Sequence, residues 1–221
     1  MNKKLFKNWK KILLIFGILI VVMFLIFVVI GLFHGSKNDN NKFKDEYEKL
    51  NDVVVIDEKK YPSVNISDNN KMIYVSYDDV IDIFNNGGNE VIYIGYPKCL
   101  YCRTVAQVLT DTVKDMEIDE IYYLDVEEKK DGYAELLKVL GDEFFVEGRV
   151  KDKIYVPSVL FVVNGKIVSY NKGTLFSQED PYDELDQSQI DGLSRIYRNG
   201  INDVVDSIKI KNGINYNDEN S

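Results

Sequence analysis

Cys99 and Cys102 are the only cysteines in this 221-residue chain. They stand in the segment Tyr96-Pro97-Lys98-Cys99-Leu100-Tyr101-Cys102-Arg103. The apolar run Val91-Ile92-Tyr93-Ile94 lies just before it and reads as a buried strand. Val105, Ala106, Val108, Leu109, Val113 and Met116 follow at helical spacing, which predicts a helix over about 99–116. The pair therefore sits where a strand hands over to a helix. At a helix N-terminus the free N–H groups and the helix dipole favour an anion. A thiolate at Cys99 should form more readily than the free thiol, whose pKa is about 8.5. Lys98 and Arg103 add positive charge nearby. The three-residue offset puts the second sulfur one turn on, facing inward. An exposed nucleophile and a buried partner so arranged could close and exchange a disulfide.

Other uses of two cysteines are open. A structural zinc site needs four ligands, and the chain has no further Cys and a single His, at position 34. A purely structural disulfide would close a very short loop, where chain-entropy stabilisation is smallest. Two inert core thiols are a third option. A Cys-x-x-Cys beside a βαβ pattern reads most directly as a redox pair. No metal or other cofactor is implied. With His34 outside the globular part, Ser-His-Asp and Cys-His catalysis are disfavoured.

The charge is divided. The chain carries 27 Lys and Arg against 36 Asp and Glu, a net charge of -9. Five of the lysines (3, 4, 7, 10, 11) fall in the first 33 residues, which hold no acid. The acidic remainder argues against nucleic-acid binding, which needs a basic footprint. Ile12 to Phe33 is uncharged, and a helix of that length spans about 33 Å, enough to cross a bilayer. It ends without the small-residue pattern of a cleaved signal peptide. This predicts one transmembrane anchor over 12–33 in the lipid bilayer, after a basic cytoplasmic segment over 1–11. Lysines on the N-terminal flank, with Trp9 among them, keep that end in the cytoplasm and direct the rest outside, where disulfides persist.

Residues 34–52 are polar and rich in Asn and Lys, and read as a tether; a short helix over 43–50 is the structured option. A globular domain follows over 53–210, then a disordered tail over 211–221. Within the domain, Val53–Ile56 and Met72–Val75 read as strands. Ser76 can cap a helix that stops near Gly87-Gly88. Ile121–Val126 is a strand, Tyr133–Leu140 a helix ending at Gly141, and Ser158–Val163 a strand. Asn164-Gly165 is a hairpin signal, followed by a return strand over Lys166–Tyr170. A last helix runs over about 188–208. The acidic stretch 174–188 lacks the spacing of a calcium loop. Alternating strands and helices predict parallel strands joined by crossovers, and the hairpin adds antiparallel ones. The fold class is α/β: a mixed central sheet flanked by helices, preceded by the anchor.

With these residues in view, the segment from about 70 to 208 resembles the thioredoxin superfamily. The order strand, Cys99-Leu100-Tyr101-Cys102, helix, strand, helix carries the likeness. So does Ile154-Tyr155-Val156-Pro157-Ser158 ahead of the hairpin at Asn164-Gly165, with Gly173 after it. A narrower segment, Tyr93-Ile94-Gly95-Tyr96-Pro97-Lys98-Cys99-Leu100-Tyr101-Cys102, is similar to that of membrane-anchored thioredoxin-like proteins described as bacteriocin transport accessory proteins. The resemblance implies a thioredoxin-like sheet, a cis peptide bond before Pro157, and a loop that packs on the disulfide. It also implies that Val156 offers backbone groups to a substrate chain. By composition alone Pro157 would be trans, since only about 5–6% of such bonds are cis. Tyr96 and Tyr101 are the side chains placed to touch a substrate, and Lys98 the one placed to stabilise the thiolate.

The departures are specific. Leu100-Tyr101 replaces the Gly-Pro of typical thioredoxins, and Tyr96-Pro97 stands where the family has a Trp. The family's buried Asp, six residues before the first Cys, is Tyr93 here. Proton transfer at Cys102 must then use water or another group. The resemblance implies a thiol-disulfide oxidoreductase acting on exported proteins with Cys, recycled by a membrane or extracytoplasmic redox partner. A non-catalytic accessory module of a transport or secretion complex, or a redox sensor, would use the same residues.

Overall fold

A computed structural model describes residues 13, 15–20, 23, 38–127, 131–144, 153–175 and 178–213. The chain divides into two compact units, residues 1–38 and 39–221. In the first unit, Leu13, residues 15–20 and Met23 are helical and exposed. The rest of the span read over 12–33, the segment 1–11 and the tail from 214 onward lie outside the described residues. Among the described residues no helix is long and apolar enough to cross a membrane.

The second unit begins with a helix over 39–48, α1. This departs from the tether read over 34–52 and overlaps the short helix offered over 43–50, starting earlier than that option. Its Asn- and Lys-rich exterior hides Phe43 and Tyr47, four residues apart and both without exposed surface. Such a pair shares one helix face. Lys44 also donates to the carbonyl of Ile66 and pairs with Glu48. Then comes a hairpin, β1 (Val54–Ile56) and β2 (Lys59–Lys60). These strands form their own two-stranded sheet, and the apolar side chains of β1 are exposed. The reading of Val53–Ile56 as a strand holds, but not as part of the central sheet.

The central sheet has five strands in the order β3-β5-β4-β6-β7. These are β3 (Met72–Tyr74), β4 (Glu90–Gly95), β5 (Ile121–Asp125), β6 (Ser158–Val163) and β7 (Lys166–Lys172). β3, β5 and β4 are parallel, β6 pairs antiparallel with β4, and β7 pairs antiparallel with β6. The helices are α2 (Tyr77–Asn85), α3 (Leu100–Thr112), α4 (Tyr133–Phe144) and α5 (Gln187–Lys211). Ser76 caps α2 in a capping box with Asp79, and Asp186 caps α5 in another with Gln189. Each box satisfies N–H groups that the first turn leaves open. α3 is shorter than the 99–116 stretch, because its last turn tightens into a 3-10 turn at Val113–Asp115. Gly141 interrupts α4 with φ 70° and ψ 169°, a geometry glycine adopts without a side-chain clash.

Alternation along the strands divides the core in two. Val91, Tyr93, Ile121 and Tyr123 face one side, with Phe43 and Tyr47 of α1, Val105 and Leu109 of α3, and Tyr197 and Ile201 of α5. Ile92, Ile94, Leu124, Leu160 and Val162 face the other, with Val80 of α2 and Leu136 of α4. Helices thus cover both faces of a mixed sheet, as expected. The ends of β4 and β5 and the start of α3 meet at one edge, and that edge carries the cysteines.

Candidate active site

Cys99 and Cys102 form a disulfide, with their Cα atoms 5.1 Å apart. Cys99 is the N-cap of α3, and its sulfur accepts the backbone N–H of Cys102 at 3.2 Å. A helix start whose N-cap is a sulfur directs N–H groups at the atom that would carry negative charge. No acidic residue occupies the first turn of α3 to oppose it. Cys99 is partly exposed, whereas Cys102 has no exposed surface. One sulfur can be reached from solvent and the other is reserved for the interior.

The backing of Cys102 is made by the sheet. Gly95 ends β4, and a Cβ there would lie 2.8 Å from the Tyr93 hydroxyl and 3.3 Å from the Cys102 sulfur. Only a residue without a side chain lets the sulfur approach the strand so closely. Tyr93 has no exposed surface and donates to the carbonyl of Cys102 at 2.8 Å. Its hydroxyl also meets that of Tyr47 at 3.1 Å, and Tyr47 meets that of Tyr123 at 3.5 Å. Burial raises the pKa of all three well above the ordinary tyrosine value, so they remain protonated. The position at which the resemblance lost an acid is filled by a hydroxyl that holds the backbone of the second cysteine. It is not a base.

Two cations flank the pair, and they differ. Lys98 is exposed, and its ammonium pairs with Glu127. The hydrogen bond to the Glu127 carboxylate raises the pKa of Lys98 above the ordinary lysine value. Arg103 follows Cys102 directly, yet has no exposed surface. Its guanidinium donates to the carbonyls of Pro62 (2.7 Å) and Tyr47 (2.7 Å) and to Asn51 Oδ1 (2.6 Å), with a longer contact to the carbonyl of Pro97 (3.4 Å). The Tyr61 ring lies 5.5 Å away. Arg103 is therefore an internal group, and Tyr47, Asn51 and Pro62 belong to the site's support.

The Val156–Pro157 peptide bond is cis. Pro157 is buried and Val156 partly so. Pairing of Ile94 with Ser158 places Pro157 next in register, beside Gly95 and hence on the edge that carries Cys102. The Pro157 carbonyl accepts the N–H of Gly173 at 2.8 Å, tying this loop to the residue after β7. Tyr96 and Tyr101 are both partly exposed, and the Tyr96 carbonyl accepts the N–H of Cys99. Asp125, paired in register with Gly95, completes the edge, and its carboxylate accepts the N–H of Glu127.

The sequence pointed to the cysteines, the proline loop and the two flanking tyrosines. It missed Tyr47, Asn51, Pro62 and Glu127. The one local signal was the Phe43–Tyr47 spacing, which falls in the segment read as tether. Among the described residues no group of three or more His, Cys, Asp or Glu is placed to hold a metal ion. No protein-family model matches the chain, and no curated protein matches it. The mixed sheet with helices on both faces is compatible with a thioredoxin-like fold.

Proposed function

We propose that this chain is a thiol-disulfide oxidoreductase of thioredoxin-like fold. The observation that carries the reading is the Cys99–Cys102 disulfide at the N-terminus of α3, with one sulfur partly exposed and the other buried. In the reducing direction, the Cys99 thiolate attacks one sulfur of a substrate disulfide. A Cys99–substrate disulfide forms, and the other substrate sulfur leaves as a thiolate that takes up a proton. Cys102 then loses its proton and attacks the Cys99 sulfur, which displaces the substrate's remaining thiolate. The substrate gains two electrons and two protons, and the enzyme pair becomes the disulfide. In the oxidising direction the same bonds are exchanged in reverse.

Val156 and Pro157, which the register sets beside Gly95, receive a substrate backbone in this reading, and Tyr96 and Tyr101, near the cysteines in the chain, contact it. In this reading residues 12–33 anchor the domain outside the cytoplasm, where exported proteins with Cys are its substrates and a membrane or extracytoplasmic partner recycles it. The uncharged length of 12–33 and the lysines before it support that placement.

Trapping tests the reading. Cys102→Ser removes the resolving thiol, so mixed disulfides on Cys99 should accumulate in cells and disappear in Cys99→Ser/Cys102→Ser. If Cys102→Ser yields no adducts while a known oxidoreductase trapped in parallel does, the reading fails.

A further inference from the structure

Arg103 is the buried group that the exchange steps leave unused. It has no exposed surface. Its four hydrogen-bond acceptors are three backbone carbonyls and the side-chain amide of Asn51. Among the described residues no carboxylate lies within ion-pair distance of it. A guanidinium keeps its charge, and burial without a counter-ion is costly. One of its contacts is to Pro97, two residues before Cys99. The other groups around it are the hydroxyls of Tyr47, Tyr61 and Tyr93, whereas Lys98 is already paired with Glu127 and Asp125 lies on β5.

We infer that Arg103, and not Lys98, is the cation that sets the redox poise of the Cys99–Cys102 pair, by favouring the Cys99 thiolate and hence the reduced form. The inference deepens the proposed oxidoreductase reading and rests on it. A positive charge buried in the interior is weakly screened. The exposed ammonium of Lys98 is screened and compensated. Stabilising the thiolate stabilises the dithiol relative to the disulfide, so the pair becomes more oxidising. Arg103 acts here as a positioning residue: it touches no substrate, and it acts through the field and through the Pro97 carbonyl.

The test uses the full chain in detergent micelles, equilibrated with dithiothreitol redox buffers, with the reduced fraction read by mass after thiol alkylation. Arg103→Gln should shift the equilibrium about tenfold toward the disulfide, or about 30 mV. The midpoint of the pH dependence of Cys99 alkylation should rise in step. Arg103→Lys keeps the charge and should stay within about twofold of the native chain, allowing for a changed hydrogen-bond geometry. Asn51→Asp leaves Arg103 in place but gives it a carboxylate, and should shift the equilibrium in the direction of Arg103→Gln. It also serves if Arg103→Gln does not fold. Equal shifts in Arg103→Gln and Arg103→Lys, or no shift in Asn51→Asp, overturn the inference. Trapping by Cys102→Ser is read separately, so failure of the oxidoreductase reading and failure of the Arg103 assignment give different results.

Discussion

The two faces of the central sheet are built from different materials. The buried centre of the face under α2 and α4 is aliphatic apart from Tyr77 and Phe144, with Val80, Ile92, Ile94, Leu124, Leu136 and Leu160 in it and Phe84, Tyr122 and Tyr133 at its margin. The face under α1, α3 and α5 buries Phe43, Tyr47, Tyr93, Tyr123 and Tyr197, and Arg103 is buried beside it. Its rings pack closely: Phe43 meets Tyr123 edge-on at 4.8 Å, and Tyr93 stacks on Tyr123 at 5.4 Å. Such pairs add to simple area burial and fix ring orientation. The aliphatic face stabilises the domain without directing it. The aromatic face also places hydroxyls, and these hold the backbone of Cys102. The difference teaches that Cys102 is backed from the aromatic side of the sheet, whereas Ile154 and Val156 of the proline loop pack on the aliphatic side.

The largest effect should come from the aliphatic face. Leu136 on α4 has no exposed surface, and Leu136→Ala removes buried methyl groups and leaves a cavity. It should destabilise the domain by about 2–5 kcal/mol in urea unfolding. The reduction potential of the disulfide should not move. A potential that moves with Leu136→Ala would break the division between the faces.

Tyr93→Phe is the counterpart on the aromatic face. It keeps the ring and deletes the hydroxyl that donates to Cys102 and meets Tyr47. A loss of about 1–2 kcal/mol is expected, a typical figure for buried hydrogen bonds. Here the rate of exchange with a small disulfide should fall as well, because the Cys102 backbone is no longer held. An unchanged rate would reduce Tyr93 to a core residue.

The smallest effect lies at the far end of β4, away from the cysteines. Burial, with Glu120 nearby, pushes the Glu90 carboxyl up to about 7. The folded-state value lies above the unfolded one, so folding favours the protonated form. The contribution of this group to stability is therefore fully present below about pH 4.5 and is lost as the pH rises through about 7. Glu90→Gln should flatten that dependence and raise stability at pH 8 by about 1 kcal/mol, after discounting for the partial exposure of Glu90. Urea midpoints at pH 5 and pH 8 measure it, and an equal gain at both would remove the assignment to Glu90.

Much of this was legible along the chain. β6 matches its predicted span over Ser158–Val163, and Ser76 caps α2 as read. These features rest on short-range rules: alternation, capping and turn chemistry all act within a few residues. The Cys99–Cys102 junction belongs to the same class. α1 was legible only in part, as the short helix offered over 43–50; its earlier start and its burial were not, because polar residues outnumber its two buried aromatics and its partners lie far along the chain. Arg103 read only as a positive charge beside the motif, and nothing within several residues of it signals its burial.

The sequence by itself determined where the cysteine pair stands and what holds its first turn. A helix that starts at Cys99 has to direct its free N–H groups at that sulfur, whatever surrounds it. Only the tertiary structure decided what stands behind the pair. Tyr47 reaches Tyr93 across 46 residues, and Arg103 reaches Tyr47, Asn51 and Pro62 across 56, 52 and 41. Contacts that long depend on which elements pack together, and packing is set by the whole core at once. The inward turn of Arg103 is of that kind: a buried cation is tolerable only where distant carbonyls converge to receive it.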